Sequence, residues 1–124
     1  MSKPLLSVLA LFVGLVLALS PMHEASAADQ VGAYATMGIG VQSCGAYNEA
    51  RKKGTDRSFT IWIGGYITTT NYNLKDTNDI AGSADLDGMM GWLDNWCQAN
   101  PTKNFAYAAW HLVNFLYPSR KRRE

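Results

Sequence analysis

The chain has 124 residues, of which 48% are hydrophobic and 17% are charged, and its formal net charge is +1. A chain of this length holds one domain with one modest core, and its near balance of charges gives no reason to expect nucleic acid as a partner. The segment 119–124 contains four consecutive basic residues, at positions 120 to 123. This basic tail can touch anionic surfaces, but a frayed, solvated end is the expected state.

Residues 1–27 have the layout of a cleavable export signal. Lys3 supplies a positive start, residues 5–19 form an uncharged apolar run, and Ala25 and Ala27 place small residues before the cleavage point. The apolar run is shorter than the roughly 20 residues of a spanning helix, so stable membrane insertion is not expected. The sequence therefore predicts an exported domain, 28–118, followed by the basic tail.

Cys44 and Cys97 are the two cysteines of the chain. An even cysteine count in an exported protein predicts a structural disulfide. A redox-active pair is not expected, because the Cys-x-x-Cys spacing that lowers a thiol pKa is missing. Closing a loop of roughly 50 residues would stabilise the fold by about 4 kcal/mol if the effect is entropic.

The first half of the domain is predicted to contain an extended lead-in, 28–42, and two helices. Ser43 can cap the first helix, and Gly54 can end it. Asp56 can cap the second, in which apolar residues between positions 59 and 67 recur at helical spacing. A strand is the alternative over 59–63 because the residues there favour strands, but the helical spacing continues beyond them.

The second helix contains Gly64 and Gly65, each of which costs about 1 kcal/mol in a helix interior. We expect another backbone to pack closely against these two glycines. Residues 73–84 are predicted to form a polar loop, and their spacing lacks the pattern of a calcium-binding loop.

Two further helices are expected in the second half. The third starts at Ser83 or Asp85 and runs to about Ala99, where Asn-Pro follows. The fourth starts after a cap at Thr102, and Pro118 closes the domain. The predicted fold class is thus all-α, a small four-helix domain with one disulfide.

No group of residues in the chain is typical of catalysis. His111 is the single histidine after the export signal, which is too few for a metal site. Ser43, His111 and Asp94 have the residue types of a hydrolase triad, but no nucleophile-elbow glycine pattern surrounds any serine. The sequence therefore predicts no enzyme, no catalytic or metal-binding residue and no cofactor.

Aromatic residues are the unusual feature of the domain. The fourth helix is apolar over most of its circumference, and such a helix is either central or covered by a partner. Exposed Trp and Tyr are typical anchors of protein interfaces. The predicted partner-binding residues are Trp92, Trp96, Tyr107 and Trp110. A well-filled core with a few half-exposed rings is the alternative.

Several short motifs carry a resemblance to known families. Ser-Cys-Gly-Ala-Tyr begins at residue 43, Trp-Ile-Gly-Gly-Tyr at 62, and Trp-Leu-Asp-Asn-Trp-Cys-Gln-Ala-Asn-Pro at 92. In this order the chain resembles the small periplasmic immunity proteins of the Rap/Tai type, which neutralise toxins delivered by type VI secretion. It is also similar in layout to the Hde-like acid-stress chaperones of the periplasm.

The resemblance implies a compact helical fold, a periplasmic location and a protein partner, such as a secreted toxin or enzyme, with a homodimer as a further option. In it the cysteines correspond to the bridge, and Gly64-Gly65 to a packing site. The predicted function is a non-enzymatic inhibitor or immunity-type binder. An acid-stress holding chaperone is the alternative, although those chaperones are lysine-rich and poor in tryptophan.

Overall fold

The computed structural model describes residues 34–124, and residues 35–124 form one compact unit. The predicted export signal, 1–27, and positions 28–33 of the predicted lead-in lie outside the described residues. The elements in chain order are a 3-10 helix (Gly38–Val41), α1 (Cys44–Lys53), α2 (Arg57–Asn73), β1 (Thr77–Asp79), α3 (Leu86–Ala99), α4 (Phe105–Leu116), a second 3-10 helix (Tyr117–Ser119) and β2 (Lys121–Arg122). The four predicted helices are confirmed and the domain is mostly helical, while β1 and β2 add a small antiparallel sheet that was not predicted.

Helix α1 begins and ends where the sequence predicts. The Ser43 Oγ accepts a hydrogen bond from the Ala46 N–H at 3.1 Å, which satisfies one of the free amides of the first turn. Gly54 follows the helix with φ at 66°, in the left-handed region that glycine adopts without strain.

Helix α2 covers the segment for which a strand was the alternative. Its buried residues Phe59, Ile63 and Ile67 lie four apart and form one face. Asp56 precedes the helix, but its carboxylate makes no cap hydrogen bond there. It accepts instead from the Arg51 Nη1 at 3.0 Å, and a charged pair of this kind competes with capping for the same oxygens.

The predicted cap of α3 is confirmed, and the predicted cap of α4 is wrong. The Asp85 Oδ1 caps α3 by accepting from the Gly88 N–H at 2.8 Å, as one of the two alternatives predicted. Thr102 does not cap α4, because the chain still turns there and the Lys103 N–H donates to the Asn100 carbonyl at 3.1 Å. Asn104 is the cap. Its Oδ1 accepts a hydrogen bond from the N–H of Tyr107, the third residue of the helix, at 2.8 Å.

The core contains the predicted disulfide and a cluster of three rings. Cys44 and Cys97 are bonded and fully buried, with Cα atoms 4.8 Å apart, and join the start of α1 to the end of α3. Beside them the aromatic core cluster, which consists of Tyr47, Phe59 and Phe105, has ring centroids 4.7–5.2 Å apart. The three rings come from α1, α2 and α4, so this cluster ties three helices together.

The prediction of a polar loop over 73–84 is wrong for part of that segment, which contains strand β1 and buried residues. Thr77 pairs with Arg122 across the sheet and is fully buried, as is Ile80 just beyond β1. Gly82 has φ at 64° and packs against the Ser119 carbonyl so closely that a Cβ would overlap it. Three residues of strand are too few to produce the alternating pattern that reveals a strand in sequence.

The basic tail is not a frayed end. The Arg120 side chain is only 5% exposed, forms an ion pair with Asp76, and stacks on the Tyr117 ring at 3.7 Å from its centroid. Arg123 donates from Nε to the Thr77 carbonyl at 3.2 Å, across the sheet. We call residues 117–123 the C-terminal clasp, because they hold the β1 region against the end of α4.

The glycine pair of α2 is not packed within the described chain. A Cβ placed on Gly64 or Gly65 would meet nothing within 4 Å. The close backbone contact expected at these glycines is therefore not made by residues 34–124. In contrast, Gly40 lies directly beneath the Trp62 ring, whose Nε1 donates to the Met37 carbonyl at 2.9 Å.

Candidate functional site

The outer surface of α3 and α4 carries a group of aromatic rings that the core leaves partly exposed. Across the two helices Trp92 stacks on Phe115 and Trp96 stacks on His111, with centroids 5.4 and 5.0 Å apart. These two pairs lie four residues apart on each helix, and in opposite chain directions. They lie one helical turn apart along the helix pair. We call this group of rings the aromatic ladder; it consists of Trp92, Trp96, Tyr107, Trp110, His111 and Phe115.

The rings at one end of the aromatic ladder form a tight cluster around His111. Its imidazole contacts Tyr107 and Trp110 edge to face, with centroids 4.7 and 4.8 Å away, in addition to its stack on Trp96. Tyr107 and Trp110 are themselves nearly parallel, at 12° and 5.9 Å. Mutual contacts of this kind hold each ring in place, so little side-chain freedom is left to lose when a partner binds.

The ladder is half covered by the domain and half open. Trp92 and Trp96 are partly buried and pack against the core. Tyr107, Trp110 and Phe115 keep 44, 45 and 61% of their surface exposed. A large ring that is anchored on one side and open on the other matches the anchors found at protein interfaces.

Charge is nearly absent from this surface. Helix α4 has no Asp, Glu, Lys or Arg in its 12 residues. On α3 the Asp94 carboxylate is directed at α1, where it accepts from Arg51 Nε and Nη2 at 2.8 and 2.7 Å. A partner that covers the ladder therefore has few charges to desolvate.

The four residues predicted to bind a partner all lie in the aromatic ladder. Of the four predicted residues, Trp96, Tyr107 and Trp110 contact one another or His111 directly, and Trp92 lies one helical turn along the ladder. Phe115 and His111 were not among the predicted partner-binding residues. Positions 107, 111 and 115 are four apart, and this spacing on one helix face was the signal available.

A second feature is a polar groove of about 780 Å³ lined by Asn48, Arg51, Lys52, Asp94 and Gln98. Asp94, one of these lining residues, accepts a hydrogen bond from the Tyr47 hydroxyl at 2.6 Å. Burial and this hydrogen bond raise the pKa of Tyr47, and the hydrogen bond to Asp94 raises that of Arg51. Burial alone would raise the pKa of Asp94, but the hydrogen bonds from Arg51 and Tyr47 hold it below its ordinary value. All three groups thus keep one protonation state near neutral pH, as expected of a structural network.

The residues of the imagined triad have other roles here. Ser43 caps α1, Asp94 pairs with Arg51, and His111 belongs to the aromatic ladder. Between residues 34 and 124 no three His, Cys, Asp or Glu side chains come together in a group that could hold a metal ion. The same residues include no helix long and apolar enough to cross a membrane.

The chain matches no protein-family model, no curated protein and no solved structure. The resemblance to the Rap/Tai and Hde-like proteins therefore stays a prediction from the motifs.

Proposed function

We propose that this chain is an exported, non-enzymatic protein-binding domain that acts as an inhibitor or immunity-type binder through its aromatic ladder. Export is supported by the layout of residues 1–27 and by the Cys44–Cys97 disulfide, since such bonds persist in oxidising compartments. A periplasmic location and a secreted toxin or enzyme as partner follow from the motif resemblance and belong to the same proposal.

The observation that supports binding most strongly is the exposure of ordered rings in one uncharged row. Tyr107, Trp110 and Phe115 contact neighbouring rings and still expose 44–61% of their surface. Removing a central Trp or Tyr anchor from an interface commonly weakens binding by about 2 kcal/mol or more. A few such anchors are enough for a specific complex.

Affinity capture with point variants tests this proposal. The oxidised, tagged domain without its export signal is exposed to periplasmic and secreted fractions at neutral pH, and captured proteins are identified by mass spectrometry. We expect the domain to capture one stoichiometric partner, and we expect Trp110→Ala to abolish this capture. Tyr72→Ala is the matched control, because Tyr72 is 84% exposed on α2, away from the ladder. Capture that survives Trp110→Ala, or that Tyr72→Ala weakens equally, contradicts the proposal.

An acid-stress holding chaperone is the second candidate, and the C-terminal clasp favours it. The hydrogen bond from Arg120 is the main cause that lowers the pKa of Asp76, and the buried Nε of Arg120 has no partner among the described residues. Protonation of Asp76 would leave the buried guanidinium without its counterion. Because the folded pKa is depressed, this stabilisation is present above the unfolded pKa of about 3.9 and is lost as pH falls through the folded value.

This candidate predicts that acid opens the clasp and exposes apolar surface around Ile80. Binding of an apolar dye should rise below about pH 3, and Asp76→Asn should raise dye binding already at neutral pH. Asp87→Asn, in the first turn of α3, is the matched control and should leave dye binding at neutral pH unchanged. A protein that binds no dye down to pH 2 is not an acid-activated chaperone.

A further inference from the structure

One end of the aromatic ladder lies where two helices begin. The Cys44 N–H donates to the Lys103 carbonyl at 2.7 Å, and the Phe105 N–H donates to the Gln42 carbonyl at 2.8 Å. Ser43 and Asn104 form an isolated antiparallel bridge between them. The starts of α1 and α4 are therefore adjacent, and the positive ends of their helix dipoles lie together.

Neither α1 nor α4 has an acidic residue in its first turn. Lys103 lies between the two helix starts, with its Nζ 5.8 Å from the centroid of the Tyr107 ring. No ion pair joins its ammonium to a carboxylate of residues 34–124. The result is a positive charge beside the cluster of rings around His111.

The remainder of the ladder is uncharged. Between Lys103 and the far ring, Phe115, helix α4 contributes no Asp, Glu, Lys or Arg side chain. The α3 carboxylate nearest in sequence to the ladder, Asp94, is already occupied by Arg51 and Tyr47. The surface thus has a positive charge at the Lys103 end, and the rest of its length is apolar and uncharged.

The length of the row is that of two turns of helix. Tyr107 and Phe115 are eight residues apart on α4, a rise of about 12 Å, and the two ring pairs that join α3 to α4 lie four residues apart, a rise of about 6 Å. An amphipathic helix presents apolar anchors at i, i+4 and i+7 or i+8, which repeat at nearly the same interval. A helix laid along the row would therefore place one anchor at each ring pair.

We propose that the partner covers the aromatic ladder with an amphipathic helix whose apolar anchors follow the ring pairs and whose acidic end lies against Lys103. This inference rests on the proposed function and names the chemistry of the docking segment. The apolar anchors supply most of the affinity, and the carboxylate sets the direction of the helix and excludes basic competitors.

Two stapled amphipathic helical peptides test this inference. They share the same leucine anchors and differ only in the charge of one terminal turn, which carries Glu in one and Lys in the other. Binding to the oxidised domain is measured by tryptophan fluorescence at low salt. We expect the Glu peptide to bind tighter by roughly twofold to fivefold, the range of an exposed ion pair, and the preference to fade as salt is raised.

Charge reversal at Lys103 provides the sharpest comparison. Lys103→Glu should reverse the preference in favour of the Lys peptide. Lys53→Glu, at the opposite end of α1, changes the net charge equally and should leave the preference as it is. Trp110→Ala should remove binding of both peptides, which confirms that they occupy the ladder.

The outcomes separate this inference from the proposed function. If both peptides bind equally and Trp110→Ala removes their binding, the proposed contact between an acidic helix end and Lys103 is overturned, while the ladder remains an interface. A preference unchanged by Lys103→Glu overturns the inference as well, as does failure of both peptides to bind. Affinity capture then decides the proposed function separately, because it uses the natural partner and not a model helix.

Discussion

Two groups of aromatic rings in this domain make similar contacts and differ in what covers them. In the aromatic core cluster the ring centroids are 4.7–5.2 Å apart, and in the aromatic ladder they are 4.7–6.0 Å apart. Phe105, in the core cluster, is fully buried, whereas Phe115, in the ladder and on the same helix, is 61% exposed. Ring contacts alone therefore do not distinguish a core from an interface; the decisive quantity is the surface that stays open.

The polar atoms of the two groups differ in the same way. The Tyr47 hydroxyl is enclosed and donates to Asp94 at 2.6 Å, and it also lies 3.3 Å from the Met90 carbonyl. A buried hydroxyl needs such partners, because an unsatisfied one destabilises the fold. In the ladder, Tyr107 and Trp110 are open to solvent, which is how amphipathic rings behave at surfaces that bind other proteins.

The largest expected effect on stability is the difference between alanine substitutions at the two phenylalanines of α4. Phe105→Ala should lower the free energy of unfolding by about 3–5 kcal/mol, because it opens a cavity among three helices. Phe115→Ala should lower it by less than about 1 kcal/mol, since most of that ring is already in water. Urea unfolding followed by circular dichroism measures both. A loss at Phe115 as large as that at Phe105 would mean that the ladder belongs to the core.

The disulfide gives the next largest effect. Replacing Cys44 and Cys97 together by Ala should lower the free energy of unfolding by about 2–4 kcal/mol, since the bond closes a loop with a sequence separation of 53 residues. Phe115→Ala in the reduced and oxidised protein should give the same small change, because the ladder lies outside the bridged core. A double variant that is as stable as the oxidised protein would show that packing around Tyr47 is sufficient on its own.

These elements also show what can be predicted from sequence in this chain. Helices α1, α3 and the disulfide were predicted because their signals are local: an N-cap serine or aspartate, a left-handed glycine at residue 54, and an even cysteine count. The two strands were not predicted, because their pairing joins Thr77 to Arg122 across the whole second half of the chain. Such a long-range contact leaves no periodic pattern in so short a segment.

The hydroxyl of Tyr47 supplies an effect of intermediate size. Tyr47→Phe should lower the free energy of unfolding by about 1–2 kcal/mol at pH 7, since Asp94 loses a buried hydrogen bond. The folded pKa of Asp94 is depressed, so this stabilisation is present above its unfolded pKa of about 3.9 and is lost as pH falls. The difference between variant and parent should therefore narrow in urea titrations below about pH 3.

A matched variant in the aromatic ladder makes this result specific. Tyr107→Phe changes the same chemical group at a 44% exposed position and should leave stability unchanged at either pH. Equal losses in the two variants would contradict the distinction between an enclosed and an open hydroxyl.

The candidate site was predicted less completely than the fold. Trp92, Trp96, Tyr107 and Trp110 were found because tryptophan and tyrosine exceed what a small core can bury. Which face of α4 they share depends on its packing against α3, and this determines that Phe115 and His111 complete the row. Lys103 acquires its place beside Tyr107 only through the turn that precedes α4, where Asn104 and not Thr102 is the cap.

The smallest expected effect concerns a third surface, the outer face of α2. Gly65 is helical and exposed, and a Cβ there would meet nothing within 4 Å. Gly65→Ala should therefore raise the free energy of unfolding by about 0.5–1 kcal/mol, because alanine loses less backbone entropy in a helix. Gly40→Ala is the contrasting variant and should destabilise the fold, since its Cβ would overlap the Trp62 ring.

The Gly65→Ala variant also compares α2 with the aromatic ladder as a binding surface. If the ladder is the interface, the variant gains stability and keeps its partner in affinity capture, whereas Trp110→Ala loses the partner with little change in stability. A Gly65→Ala protein that is more stable but no longer captures the partner would assign binding to α2. In that case the destabilising glycine is retained for close approach of another chain, and the exposed rings of α3 and α4 are a surface that the interaction does not use.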